Sequence, residues 1–202
     1  MDNILGILFD MDGVIVDSSE WNKSAFNDTL KYFGHSILTH DEYINTLGVN
    51  SYNQLKLIET YRGVVFDNIN TMVDIKRYYA RHYISKYCKP VNRISEILNF
   101  TSSIIKNGLV TNCSSDSCKL ILCKMKIIDK FDIIINNSMV KNVKPHPEPY
   151  QTACNMIGIS PNNILVIEDS DIGIISASKA GCNTLKVDNF SNLTLKLIKD
   201  IL

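Results

Sequence analysis

Two pairs of acidic residues stand at the ends of short apolar segments. Asp10 and Asp12 follow the run 4–9, and Glu168 and Asp169 follow the run 164–167. If the fold brings both pairs together, the carboxylates repel one another strongly unless a cation lies between them. Hard carboxylate oxygens suit Mg²⁺, which in proteins commonly also coordinates a substrate phosphate. We therefore predict a Mg²⁺ site at these four residues.

Three further polar residues could bind such a phosphate. Thr111 and Asn112 follow a third apolar segment, and Lys144 precedes a proline-rich loop. Lysine supplies a point charge, threonine a hydroxyl donor, and the tight turn at Gly13 backbone N–H donors. Singly, such an aspartate is usually a turn former or helix cap, and such a lysine a solvated loop residue. Their joint occurrence at successive strand ends indicates a phosphate site.

The elements that position these residues alternate between short β-branched runs and helical patterns. We predict strands at 4–10, 108–112, 131–136, 164–168 and 184–187, and helices at 94–106, 115–126, 147–157 and 171–180. Near-continuous apolar strands are typical of a sheet covered on both faces. The repeat predicts an α/β fold with a parallel, doubly wound sheet, in which ligands bind beyond the carboxyl ends of the strands.

Residues 17–88 have a different character. All five prolines follow residue 89, whereas every tyrosine except Tyr150 lies between residues 32 and 87. Helical patterns occur at 19–33, 40–47, 52–61 and 70–87. Because this stretch falls between the first strand and the next strand–helix unit, we predict a catalytic core at 1–16 and 89–202 with an inserted helical domain at 17–88.

Composition excludes several classes of function. The 202 residues carry 21 Lys+Arg against 21 Asp+Glu, so we expect no nucleic acid partner, which would require a basic balance. No apolar run approaches the ~18 residues of a membrane span, so we expect no membrane partner. Asp2 and Asp10 interrupt the pattern of a secretory leader, and the six cysteines form no CxxC or zinc spacing. We expect a cytoplasmic protein with free thiols.

Motif order and spacing resemble the haloacid dehalogenase superfamily, and within it the branch of phosphatases and β-phosphoglucomutase-like enzymes with a helical cap after the first motif. The matching segments are 10–18, Thr111-Asn112, Lys144-Pro145, Glu168-Asp169-Ser170, Gly173 and Ala180-Gly181. The resemblance covers essentially the whole chain. It is specific for fold and chemistry and says nothing about which substrate is used.

The resemblance implies a role for each position. Asp10 would be the nucleophile that forms an aspartyl phosphate, and Asp12 would protonate the leaving oxygen and then deprotonate the hydrolytic water. Mg²⁺ would be held by the Asp10 carboxylate, the Asp12 backbone carbonyl and Asp169, with Glu168 either a direct ligand or a partner of the ligands. Thr111 and Lys144 would hold the phosphoryl group. Residues 17–88 would close over the site and set substrate preference.

The sequence thus predicts a Mg²⁺-dependent phosphatase that acts on a small phosphorylated metabolite. The first alternative is a phosphomutase, which is disfavoured because Asn22 stands where many β-phosphoglucomutases carry a histidine. A second is a phospho-accepting signalling domain, disfavoured by the order of the motifs and by the insert. A third is an inactive binding protein, disfavoured because every motif position is filled. The sequence leaves the oligomeric state open, with a monomer favoured, since neither coiled-coil heptads nor a long exposed strand is evident.

Overall fold

A computed structural model describes residues 3–202, so the prediction that involved Asp2 lies outside the described residues. The chain divides into two compact units, a sheet unit formed by residues up to Asp17 together with Lys89–Leu202, and a helical unit formed by Ser18–Cys88. Within residues 3–202, no helix has the length and apolar character needed to cross a membrane.

The sheet unit contains five strands and five α-helices among the described residues. In chain order these are β1 (Gly6–Phe9), α5 (Asn92–Ser102), β2 (Lys106–Val110), α6 (Ser115–Met125), β3 (Ile133–Ile135), α7 (Glu148–Ile157), β4 (Ile164–Glu168), α8 (Asp171–Ala180), β5 (Asn183–Lys186) and α9 (Leu195–Ile201). The helical unit supplies α1 (Ser19–Tyr32), α2 (His40–Ile44), α3 (Ser51–Arg62) and α4 (Ile69–Tyr87).

All neighbouring strands are parallel, in the order β3-β2-β1-β4-β5. The predicted α/β class and doubly wound parallel sheet are therefore confirmed. The chain adds β2 and β3 on one side of β1 and then returns to add β4 on the other side. This reversal makes the carboxyl ends of β1 and β4 the point where an open α/β sheet forms its ligand crevice.

The strands are apolar on both faces because helices cover both. On one face, side chains of β1, β2, β3 and β4 pack with residues of α7 and α8, among them Leu8, Val110, Ile135, Tyr150 and Ala177. Alternation along the strands places Phe9 on the opposite face, where its ring meets Phe131 edge to face. In β2, the side chains of Leu8 and Ile133 occupy the space that a Cβ at position 108 would need, so glycine is required there.

The helical unit has a core of its own. Phe26 and Leu30 of α1 pack with Leu55 and Ile58 of α3 and with Met72 of α4. Local signals delimit its helices: Thr39 and Glu42 form a capping box at the start of α2, and Gly63 ends α3 in the left-handed conformation. Arg62, the last residue of α3, donates two hydrogen bonds to the Glu42 carboxylate, at 2.6 and 2.7 Å.

Several elements differ from the sequence prediction, among them the end of one helix, the start of one strand and one helix that was missed. Helix α5 ends at Ser102 rather than at residue 106, and β2 begins at Lys106 rather than at residue 108. The prediction treated Gly108 as a strand start, whereas packing over its bare Cα places it inside the strand. Helix α9 was not predicted; it is short, and it forms because Thr194 caps it and Ile198 is buried.

Candidate active site

The site begins at the end of β1. Asp10 directly follows this central strand, and its backbone N–H donates to the carbonyl of Ile167 in β4 at 2.9 Å. The residue is only 8% exposed. The parallel register therefore places the first candidate acid beside the end of β4, whose last residue is Glu168 and which Asp169 follows.

Lys144 reaches this point from the loop after β3. Its Nζ donates to Asp10 Oδ1 at 2.6 Å, to Glu168 Oε1 at 2.6 Å and to the carbonyl oxygen of Val110 at 2.7 Å. An ammonium group has three protons, so these acceptors use all of them. The sequence predicted that Lys144 binds a phosphate. In the structure its ammonium group donates to protein acceptors, among them one carboxylate from each acidic pair.

Glu168 is fully buried, and hydrogen bonds surround its carboxylate. Oε1 accepts from Lys144 and from the Tyr150 hydroxyl, at 2.6 and 2.8 Å. Oε2 accepts from the Ser170 hydroxyl at 3.0 Å and from its backbone N–H at 3.3 Å. A Cβ on Gly173 would collide with the same carboxylate. Glycine at this position lets the first turn of α8 approach Glu168 closely.

Tyr150 is a site residue to which the sequence assigned no role. It lies in the first turn of α7, is fully buried, and places its ring 4.9 Å from Lys144 Nζ. Burial and the nearby Glu168 charge raise the pKa of its hydroxyl well above the usual range, so it stays a donor to Glu168. The sequence could have indicated a buried residue here, because Tyr150 stands among apolar helix positions six residues after Lys144. It could not have indicated the partner of the hydroxyl, which depends on how α7 packs.

The two residues after β2 have different contacts. Thr111 is buried, and its Oγ1 accepts from the Cys113 backbone N–H at 3.0 Å, which leaves the hydroxyl proton to donate. The Asn112 amide contacts the backbone of Lys144 on both sides: Oδ1 accepts from its N–H at 3.1 Å and Nδ2 donates to its carbonyl at 3.3 Å. Asn112 thus fixes the backbone of the loop that carries the lysine.

Asp12 lies in a tight turn that follows β1. The N–H of Gly13 donates to the Val16 carbonyl at 2.8 Å, and Asp12 pairs with Val16 in an isolated bridge. Gly13 has a φ of 81°, and a Cβ there would collide with the Asp169 carboxylate. The first and last acidic segments therefore meet at Gly13. Asp12 and Asp169 are both half-buried.

Mutual repulsion and burial shape the protonation of these acids. Burial raises the pKa of Asp10 well above its usual range; the Glu168 charge adds to this effect and Lys144 opposes it. Burial and Glu168 likewise raise the pKa of Asp169 to about 7. Burial alone would lower the pKa of Lys144, but the charges of Asp10 and Glu168 outweigh burial and raise it. The site contains more carboxylate charge than one ammonium group neutralises.

These residues fit a hard divalent cation. Asp10, Glu168 and Asp169 each offer an oxygen, and the three oxygens lie within 4.8 Å of one another. An all-oxygen donor set suits Mg²⁺ better than a soft metal. Glycine at position 13 lets the turn after β1 approach the Asp169 carboxylate closely, because a Cβ there would collide with it.

The sheet unit carries its acids at the switch point, and the helical unit is inserted in the chain after β1. The haloacid dehalogenase-like hydrolase profile matches residues 7–187. The chain belongs to this family, and the predictions of the family and of an enzyme of its phosphoric-ester hydrolase class are confirmed.

The individual relatives described here share less than a quarter of their aligned residues with this chain. Pyrophosphatase PpaX of Bacillus mycoides (strain KBAB4) is 23% identical over 182 residues, which cover 90% of this chain and 82% of the relative. A β-phosphoglucomutase structure from Clostridium difficile superposes with a TM-score of 0.84 at 24% identity, covering 98% of this chain and 96% of that one. CbbY from Rhodobacter sphaeroides, in a mutant complex with xylulose-(1,5)bisphosphate, gives 0.82 at 20% identity, covering 94% and 96%. The chain is an enzyme of the phosphatase or phosphomutase kind.

Proposed function

We propose that the protein is a Mg²⁺-dependent phosphatase that hydrolyses a phosphate monoester of a small metabolite through an aspartyl phosphate. The observation that carries this proposal is the state of the Asp10 carboxylate. It is buried at the switch point of the sheet, and Lys144 holds one of its oxygens at 2.6 Å. A carboxylate fixed by one oxygen can attack phosphorus with the other.

Asp10 and Asp169 are the side chains that would hold Mg²⁺, together with the Asp12 backbone carbonyl. When bound, the cation would offset the excess carboxylate charge and polarise the substrate phosphoryl group. Glu168 has a different task in this proposal. Because its two oxygens already accept four hydrogen bonds, it holds Lys144 in place beside Asp10 rather than serving as a ligand.

The remaining residues complete the reaction. Asp10 attacks phosphorus, the ester P–O bond breaks, and Asp12 gives its proton to the leaving alkoxide. Asp12 then removes a proton from water, which attacks the phosphorus of the aspartyl phosphate and releases inorganic phosphate. Thr111 donates its hydroxyl proton to the phosphoryl group. Lys144 neutralises and orients Asp10, and Asn112 orients the backbone of Lys144.

Hydrolysis is favoured over phosphate transfer between two sugar hydroxyls by the identity of Asn22. Within the helical unit its Nδ2 donates to Ser18 Oγ at 3.1 Å and its Oδ1 accepts from Lys76 Nζ at 3.1 Å. An amide does not exchange a proton near neutral pH as histidine does. A phosphomutase remains the alternative that the product analysis below distinguishes.

The test is a phosphate-release screen with Mg²⁺ across sugar, polyol and amino-alcohol phosphates, nucleoside monophosphates and phosphoglycolate. We expect release from at least one ester, loss of release with EDTA, and loss in Asp10→Asn with an unchanged far-UV CD spectrum. Asp129→Asn, which alters an exposed carboxylate of the same unit, is the matched control and retains activity. Undiminished turnover in Asp10→Asn contradicts the mechanism, and an isomeric sugar phosphate without free phosphate identifies a mutase.

A further inference from the structure

Two buried thiols that the proposed chemistry does not use lie in contact behind the site. Cys154 is on α7 and Cys182 lies between the end of α8 and β5; their sulfurs are 3.7 Å apart. The exposed fractions of these residues are 2% and 9%. Both belong to the apolar cluster that contains Tyr150.

We infer that Cys154 and Cys182 form a reversible disulfide on exposure to a peroxide. A disulfide requires a sulfur separation of about 2.05 Å, so the two sulfurs must approach by roughly 1.7 Å. Side-chain rotation and a small shift of the turn after α8 suffice for a movement of this size, because Gly181 ends the helix in the left-handed conformation and is itself exposed. The oxidant reaches Cys182 first, because this residue directly follows the exposed Gly181.

The reaction is balanced with hydrogen peroxide as the two-electron oxidant. One sulfur attacks a peroxide oxygen, the O–O bond breaks, and a sulfenic acid and water form. The second thiol then attacks the sulfenic sulfur, the S–O bond breaks, and a second water leaves. The two thiols lose two electrons and two hydrogens, and the contact between the sulfurs favours this second step over further oxidation.

The bond would close a covalent loop around the acidic end of the site. The two cysteines are 28 positions apart, and the segment between them contains β4, Glu168 and Asp169. A closed loop of this length restricts the unfolded chain and raises the melting temperature by about 5–10 °C. This inference does not depend on the proposed activity.

The experiment treats the full chain with hydrogen peroxide, blocks remaining thiols, and maps tryptic peptides without reduction. Cleavage after Lys141 and Lys179, but not at Lys144-Pro145, gives peptides 142–179 and 180–186, each with one of the two cysteines. We expect these peptides to be linked by a disulfide that dithiothreitol removes. Because Cys113 is half-buried and Cys123 exposed, the mapping is repeated in a variant with both changed to serine, which prevents disulfides between chains through these thiols.

The melting temperature supplies the second measurement. Peroxide should raise it in the wild type, dithiothreitol should restore it, and Cys182→Ser should show neither change. Peptide mapping of the wild type decides the question even where the serine variant folds poorly. Recovery of both cysteines as free thiols after the exposed thiols have oxidised, or as sulfinic acids without a linked peptide, overturns the inference.

Discussion

The Tyr150→Phe substitution is a sharp probe of how the site is held together. It removes one hydroxyl group and keeps the ring that lies beside Lys144. The lost hydrogen bond joins a fully buried donor to the Glu168 carboxylate at 2.8 Å. A hydrogen bond to a charged group contributes ~1.5–3 kcal/mol. Since Lys144 still donates to the same oxygen, we expect a loss of about 2 kcal/mol in the free energy of unfolding, which lowers the melting temperature by about 4–8 °C.

The assay is urea unfolding followed both by far-UV CD and by the fluorescence of Trp21, the one tryptophan of the chain. The matched control is Tyr83→Phe, which removes a hydroxyl that donates to Asp28 at 2.6 Å in a half-buried position of the helical unit. Water can replace that bond, so its loss should cost less than about 1 kcal/mol. Equal costs for the two variants would refute the view that Tyr150 stabilises Glu168 through a buried bond.

The same variant tests the link from Glu168 through Lys144 to Asp10. If the phosphatase proposal is correct, we expect kcat for phosphate release to fall roughly tenfold, because small displacements of catalytic groups are costly. KM should change less, since Tyr150 makes no direct contact with substrate in the proposed reaction. A changed KM with an unchanged kcat would place Tyr150 in substrate binding instead.

Two further substitutions test other parts of the structure. Arg62 holds the pKa of Glu42 at about 2, so their bond stabilises the fold above pH 4.5 and this stabilisation is lost as the pH falls toward 2. In melting curves from pH 2 to 6, the free energy of unfolding of the wild type should exceed that of Glu42→Gln by about 1–2 kcal/mol at pH 6. This difference should shrink as the pH falls toward 2; a difference that does not change with pH contradicts a stabilising Arg62–Glu42 bond. Gly13→Ala should cost ~3 kcal/mol or more in urea unfolding, because its φ of 81° is unfavourable and the new methyl meets Asp169. Gly158 has a φ of 75° and open space around it, so Gly158→Ala should lower the free energy of unfolding by only about 1 kcal/mol. Equal losses in the two alanine variants would show that the methyl group at position 13 does not clash with Asp169.

Much of the site could be predicted because the sheet rule converts sequence position into spatial position. Apolar runs locate the strand ends, and parallel pairing brings Asp10, Thr111 and Glu168 to one edge whatever the details of packing. The hydroxyl of Tyr150 and the amide of Asn112 obey no such rule. Their partners depend on the rotation of α7 and on the path of the loop before it, which arise from tertiary packing.

The same contrast explains the missed helix α9 and the wrong start of β2. Helix α9 is too short for periodicity to reveal, and its stability comes from the cap at Thr194 and from burial of Ile198. Gly108 is a turn signal in isolation, yet Leu8 and Ile133 make a bare Cα necessary inside β2. Both errors therefore come from contacts that exist only in the folded chain.

The central position of β1 has a consequence for biosynthesis. Gly6 pairs with Lys106 on one side and with Ile164 on the other, so β1 leaves the ribosome well before either of the strands that flank it. At roughly 5–20 residues per second, this apolar strand waits on the order of ten seconds for β4. The helical unit, complete at Cys88, can fold within that interval. We expect nascent chains that end before β4 to expose β1 and to aggregate readily.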